Sequence, residues 1–280
     1  MGQLDGKIAL VTGCAGERGV GRGIATRLVA DGADLVVTDL HSLGTTVVPT
    51  RPSSVWGGLE SLAEEIRGFG RRALIAVLDI RSAAQIQEVL KGVLVEIGRL
   101  DILINNAAAP PGADRVLTVE LAEDAWDAVL DTNLKGAFLC AQAVARLMLE
   151  REIAGRIINI ASDRAKVGAP RLAAYCASKF GLIGFTQSLA MELAPAGITV
   201  NAVCPGAVDS ERLDYLGRRK DGSYDPALRI REVGARAAQN PMGRLTTPAD
   251  VAAAVAFLAS DGAAYITGQA INVSGGSVMH

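Results

Sequence analysis

Histidine is scarce. The 280 residues hold two, His41 and His280, far apart in the chain. No metal site and no Ser-His-Asp triad is expected from that inventory. Cysteine is nearly as rare: Cys14, Cys140, Cys176 and Cys204 stand in apolar or small-residue surroundings, with no two at metal-ligand spacing. They read as buried free thiols of a cytoplasmic protein. Neither sign of charge dominates, since 28 Lys and Arg face 30 Asp and Glu for a net charge of −2. No nucleic-acid partner and no acidic membrane surface is expected. Long apolar runs are missing too, none approaching the ~18 residues of a membrane span. The opening Met-Gly-Gln-Leu-Asp-Gly-Lys-Ile has no signal-like apolar region. Met1-Gly2 opens like an acylation site, but Gly6 stands where Ser or Thr is wanted.

What is present is bulk for a core. Half of the residues are hydrophobic and 21% are charged, which excludes a disordered chain. The length allows one large domain or two small ones. Short runs rich in Ile, Val and Leu at 8–12, 35–38, 73–78, 102–104, 156–160, 199–203 and 270–273 read as buried parallel strands. Helical stretches lie between them at 21–30, 59–69, 83–97, 122–150, 173–193 and 249–260. This alternation predicts an α/β fold in one domain over 1–280: a doubly wound, seven-stranded parallel sheet with helices on both faces. Two segments break the rhythm. Residues 40–58 are too long for a βα connection and form an insertion; residues 209–248 form a long, charged substrate loop.

The first strand runs into Thr12-Gly13-Cys14-Ala15-Gly16-Glu17-Arg18-Gly19-Val20-Gly21. Glycines let the backbone approach a pyrophosphate at a helix start. Alone, such a turn is equally a tight strand-to-helix connection. Asp39 ends the second strand 20 residues after Gly19, the spacing of a carboxylate that binds an adenosine ribose.

Tyr175 and Lys179 are four residues apart in a helical stretch, so both address one side of it. Ionising a phenol near neutral pH takes roughly 4 kcal/mol. One ammonium about 4 Å away supplies about that at an effective dielectric of 20. The pair suits acid–base work on an alcohol or ketone, although a Tyr–Lys pair in isolation is more often an ordinary helix-surface pair. Ser162 ends the fifth strand, thirteen residues before Tyr175, where its hydroxyl can reach a substrate oxygen.

Together these segments resemble the short-chain dehydrogenase/reductase family over nearly the whole chain. The resemblance rests on Thr12-Gly13 with Gly19-Val20-Gly21, Asp79-Ile80, Asn105-Asn106-Ala107-Ala108 and Asn133-Leu134-Lys135-Gly136. It continues through Ser162, Tyr175 to Lys179, Pro205-Gly206-Ala207-Val208 and Ile266-Thr267-Gly268-Gln269. It implies a Rossmann-fold, NAD(P)-dependent oxidoreductase acting on a small alcohol or ketone, as a homotetramer; the Asp39 carboxylate, which would repel a 2′-phosphate, favours NAD over NADP. Tyr175 would exchange the hydroxyl proton, Lys179 would favour its phenolate and hold the nicotinamide ribose, Ser162 would polarise the substrate oxygen, and Asn133 would hold a relay water. The cofactor would meet Gly13, Arg18, Gly19, Val20 and Gly21 at its phosphates and Asp39 and Leu40 at the adenosine ribose. Asp79 and Ile80 would border the adenine, Asn105 and Ala107 would line the middle, and Pro205, Gly206, Val208 and Ser210 would approach the nicotinamide.

The chain departs from the family pattern in places. Five residues separate Gly13 from Gly19 where three are usual, Ala108 replaces a glycine, and Ser274 replaces an aspartate. A basic residue before the second glycine, here Arg18, pairs the 2′-phosphate in relatives that prefer NADP; here it either does so or pairs with Asp39 or Glu17. Residues 40–58 are expected to form a flap beside the adenosine end. Two other readings stand beside the alcohol dehydrogenase: a nucleotide-sugar epimerase or dehydratase, and a non-catalytic cofactor sensor. The substrate loop mixes Tyr215, Leu216, Tyr224 and Met242 with Arg212, Arg218, Arg219 and Lys220, and Asp163 and Arg164 follow Ser162. A 3-oxoacyl thioester, a sugar, a steroid-like ring and a small hydroxy acid are all compatible with that mixture.

Overall fold

Apolar residues alternate along the first strand, β1 (Ile8–Thr12), and the alternation sorts them between two helical layers. Ala9 and Val11 join one core cluster, with Ile24 and Leu28 of α1 (Val20–Ala30), Leu62 and Ile66 of α2 (Leu59–Gly68) and Val251 and Val255 of α8 (Pro248–Ala259). Ile8 and Leu10 join the other, with Ile86 and Leu90 of α3 (Ala83–Glu96) and Val144 and Met148 of α5 (Ala137–Glu150). A strand buried on both faces is what a parallel sheet with helices on each side requires. The computed structural model describes residues 2–44, 56–219 and 221–280.

The other strands are β2 (Asp34–Asp39), β3 (Ala73–Val77), β4 (Ile102–Asn105), β5 (Arg156–Ile160), β6 (Thr199–Pro205) and β7 (Ala270–Val273). They form one sheet in the order β3-β2-β1-β4-β5-β6-β7, with every pairing parallel. The winding reverses between β1 and β4, which opens a crevice beyond their carboxyl ends. Thr12 stitches that reversal: its hydroxyl donates to the Ile104 carbonyl at 3.3 Å and accepts from the Asn106 and Ala107 amides at 3.1 and 3.0 Å. β3 lies at the sheet edge, so it is half-buried rather than fully buried.

Two sequence expectations need correction. The helix expected over 122–150 is broken into α4 (Glu123–Leu130), a six-residue π-helical turn at Asp131–Gly136 and α5. A π turn shifts the backbone bonding by one residue, an irregularity that apolar periodicity does not record. The segment 209–248 is not an open loop either. It folds as a 3-10 helix at Glu211–Gly217, then α7 (Pro226–Ala238), and ends on the first residue of α8. The long helix α6 (Ala173–Leu193) forms as expected.

Most of the proposed flap, residues 45–55, lies outside the described residues, as does Lys220. The described ends of the insertion are pinned together, since the Leu59 amide donates to the Ser42 carbonyl at 2.8 Å. Trp56 sits against the phosphate turn, its indole N–H donating to the Ala15 carbonyl at 2.7 Å. Arg22 stacks on its ring at 4.5 Å.

Candidate active site

A cleft of about 500 Å³ opens where the sheet order reverses. Gly13 forms its floor next to β1. Its φ is +73°, and a Cβ there would come within 2.8 Å of the Ala107 backbone, so no other residue fits this turn without strain. In the lengthened loop Cys14 and Ala15 turn inward and are fully buried. Burial and the neighbouring Asp39 carboxylate push the Cys14 thiol up, so it stays neutral. Asp39 braces the loop, accepting from the Ala15 amide at 2.9 Å and the Leu40 amide at 2.8 Å. Both oxygens keep lone pairs for ribose hydroxyls.

The turn already receives an anion from within the chain. Glu211 accepts from the Arg18 amide at 2.9 Å, and its carboxylate packs on Gly16. A carboxylate held on a backbone amide just before α1 marks an electropositive position that suits a pyrophosphate. Gly13, Gly19, Val20 and Gly21 line the cleft beside it, so the residues present fit a dinucleotide. The Arg18 side chain does not pair with Asp39 or Glu17, as the sequence had suggested. It reaches Asp214 of the 3-10 helix Glu211–Gly217 at 2.6 Å. Asp214 is buried and is shared with Arg229 at 2.7 Å.

Across the crevice α6 presents Tyr175 and Lys179 to the same cleft, and Ser162 lines it from the end of β5. Lys179 is 3% exposed, donates to the Ile160 carbonyl at 2.7 Å and has its Nζ 6.0 Å from the centre of the Tyr175 ring. Burial, reinforced by the Arg212 charge, lowers Lys179 from its ordinary value to about 7. Two of its three N–H groups remain for other partners. Ser162 donates to the Asp163 carboxylate at 3.0 Å and accepts from the Arg164 amide at 3.1 Å. Turning its O–H from Asp163 to a substrate oxygen takes only a hydroxyl rotation.

The remaining sequence-predicted residues divide. Leu40, Asp79, Ile80, Ala107, Pro205, Gly206, Val208 and Ser210 line the cleft. Arg18, Asn105 and Asn133 do not. Asn105 is buried, its amide donating to Asn159 at 2.9 Å and to the Ala137 carbonyl at 3.2 Å. Asn133 sits in the π turn, accepting from the Ala109 amide at 2.8 Å and donating to Ser178 at 3.0 Å, so its side chain ties the cleft wall to α6. Of the described basic loop residues Arg212 lines the cleft, whereas Arg219 pairs with Asp225 at 2.7 Å. Sequence reasoning missed Arg115, whose guanidinium lies 5.2 Å from the centre of the Tyr175 ring, and Glu211 on the phosphate turn. No spacing rule points to either, because each arrives from a loop remote in sequence. Among the described residues no group of three His, Cys, Asp or Glu is placed to hold a metal ion, and no helix is long and apolar enough to cross a membrane.

Comparison with known proteins agrees with this geometry. A family model described as Enoyl-(Acyl carrier protein) reductase matches residues 13–278. The chain is 37% identical over 280 residues to a 3-oxoacyl-(acyl-carrier-protein) reductase of Synechocystis, covering all of both proteins. It is 39% identical over 273 residues to the enzyme of that name from Staphylococcus aureus, covering 98% of each. Among solved structures it resembles carveol dehydrogenase from Mycobacterium avium in complex with NAD, at 28% identity and a TM-score of 0.86, covering 99% of both chains. A short-chain type dehydrogenase/reductase from Mycobacterium marinum is similar, at 28% identity and a TM-score of 0.83, with 99% and 97% covered. Fold, cleft and likeness together define the class: an NAD(P)-dependent oxidoreductase acting on CH–OH groups. The chain belongs to the short-chain dehydrogenase/reductase family. The epimerase and cofactor-sensor readings give way to this one.

Proposed function

We propose that the protein reversibly oxidises a secondary alcohol to a ketone with NAD(H), with Tyr175 as general acid and base. The observation that carries this reading is that Tyr175, Lys179 and Ser162 line one cleft with the glycine turn and Asp39. In the oxidative direction the Tyr175 phenolate, stabilised by Lys179 beside it, takes the hydroxyl proton and becomes the neutral phenol. Ser162 donates to the same oxygen and orients it. A nicotinamide held in the cleft beside Pro205, Gly206 and Val208 would supply the hydride acceptor for the carbinol carbon. The products are a ketone, NADH and one proton. Lys179, with two free N–H groups, also suits a ribose hydroxyl. Asn133 acts as a positioning residue through Ala109 and Ser178.

NAD(H) is the favoured cofactor in this reading. Asp39 at the end of β2 would face a 2′-phosphate with like charge, and each unit pair at about 4 Å costs roughly 4 kcal/mol at an effective dielectric of 20 before screening. Arg18, the counterweight for NADP, is engaged with Asp214. The similar carveol dehydrogenase structure holds NAD. The small-molecule substrate is an alcohol or ketone, taken in a cytoplasmic setting that the four buried free cysteines suit. The assembly is a homotetramer; exposed Phe138, Leu149, Phe180 and Met191 on α5 and α6 support it. Light scattering that returns the mass of one chain overturns that assembly. For the reaction, NADH appearance is followed across a panel of alcohols and hydroxy acids. Failure of the whole panel, with NAD bound, overturns the reading.

A further inference from the structure

We propose that the alcohol or ketone taken by this site carries an oxyanion near its reacting carbon, and that Arg212 selects for it. The inference rests on the reaction proposed above. Arg212 projects from the 3-10 helix Glu211–Gly217 into the cleft. Its Nη2 donates to the Ala109 carbonyl at 2.8 Å and its Nη1 to the Ala108 carbonyl at 3.4 Å. Those two carbonyls aim the guanidinium and leave three of its five N–H groups unused.

Among the described residues Arg212 has no carboxylate at ion-pair distance, unlike Arg18, Arg81, Arg115 and Arg229. The cleft's own carboxylates are all engaged. Asp39 takes the Ala15 and Leu40 amides and Asp79 takes Arg81. Asp163 takes Ser162 and Arg164, and Glu211 takes the Arg18 amide. Arg115, which borders Tyr175, is offset by Asp114 at 3.3 Å.

Among the described residues, Arg212 and Lys179, which line the cleft with Tyr175, are left without a counterion. They lie close enough for the Arg212 charge to depress the Lys179 ammonium, and Arg212 also feels Tyr175. Burial of an unpaired charge is unfavourable, and a substrate oxyanion relieves it. The planar fork of an arginine suits a carboxylate or a phosphate in two-point contact. Because Arg212 and Lys179 line the same cleft as Tyr175, such a group sits close to the reacting carbon. A carbonyl strap alone would need no cation, since a neutral donor could bind Ala108 and Ala109.

The test compares matched substrates that differ in charge. kcat/KM for NADH formation is measured for 3-hydroxybutanoate, its amide and its N-acetylcysteamine thioester, and for glycerol 3-phosphate against glycerol. Binding of the same compounds to the enzyme–NAD+ complex is read by calorimetry. At least a tenfold preference for one oxyanion over its neutral partner is expected, and the favoured pair tells carboxylate from phosphate. In Arg212→Met that preference is expected to fall to about twofold or less, and Arg212→Lys should restore part of it. Equal rates and affinities for charged and neutral partners in the unmodified enzyme overturn the proposal, whatever the variants do. So does an Arg212→Met variant that loses the charged and neutral compounds alike. Binding of an oxyanion that depends on Arg212 without any oxidation would overturn the Tyr175 reaction and leave the anion site standing.

Discussion

Lys179 of α6 donates to the Ile160 carbonyl at the end of β5 at 2.7 Å, and this bond holds a buried ammonium beside Tyr175. The arrangement is unfavourable for the cofactor-free fold. Lys179 falls to about 7, against 10.5 for an exposed lysine. Between those values the unfolded chain binds more protons than the folded one, so stability rises with pH through that window. The penalty is complete below about pH 7 and fades towards pH 10. Lys179→Met should therefore raise the Tm of the cofactor-free protein more at about pH 6.5 than at about pH 9.5. Calorimetric scans at the two pH values check it. An equal shift at both would show that Lys179 is not buried as a cation.

Tyr175→Phe removes the exchangeable proton and little else. Turnover should fall by about 10²–10⁴-fold, the usual contribution of a general acid–base group. Binding of NAD+, followed by fluorescence, should persist. A variant keeping more than about a tenth of the activity would lie well outside that range and point to another proton donor.

Asp39→Ala should narrow the preference for NAD over NADP by weakening NAD more than NADP. Tenfold discrimination takes only about 1.4 kcal/mol, well within reach of one carboxylate facing a phosphate. Arg18→Ala should leave the preference in place, because its guanidinium is committed to Asp214. A kcat/KM comparison of the two cofactors in parent and variants decides between the two residues. A parent enzyme that favours NADP would assign the pocket to Arg18.

Glu211 occupies the phosphate turn with a charge of the same sign as a pyrophosphate. Its removal in Glu211→Ala should tighten NAD+ binding by at least about threefold, since like charges at close range repel. Titration calorimetry reads this directly. Weaker binding would mean that Glu211 supports the turn in the bound state.

The start of α8 carries a reciprocal cap. Thr247 accepts from the Asp250 amide at 3.2 Å, Asp250 accepts from the Thr247 amide at 2.8 Å, and Pro248 opens the helix. The Arg244 guanidinium and the Thr247 bonds hold the Asp250 carboxyl well below the usual carboxylate range. Asp250→Ala should cost about 1 kcal/mol of stability, as lost helix caps do. Urea unfolding of parent and variant would read it, with the difference shrinking at low pH as Asp250 protonates.

Local pattern carried a large part of this molecule. Seven apolar runs and the helices between them follow from short-range periodicity, and the bounds of β1, β5, β7 and α6 coincide with their patterns. Tyr175 and Lys179 share one side of α6 because four residues make about one helical turn. Asp39 stands at the cleft because a parallel strand must end there. None of these depends on a distant part of the chain. Charge partners do. Arg18 chose Asp214 over the nearer Asp39 and Glu17 because the fold laid residues 211–217 across the phosphate turn. Arg115 came to Tyr175, and Arg212 to the carbonyls of Ala108 and Ala109, by the same meeting of loops. The π turn around Asn133 belongs with them, since its side-chain partners come from a neighbouring loop and from α6. Periodicity reports which face of an element is buried. Which charge meets which depends on loops that the sheet brings together, and that proximity exists only after folding.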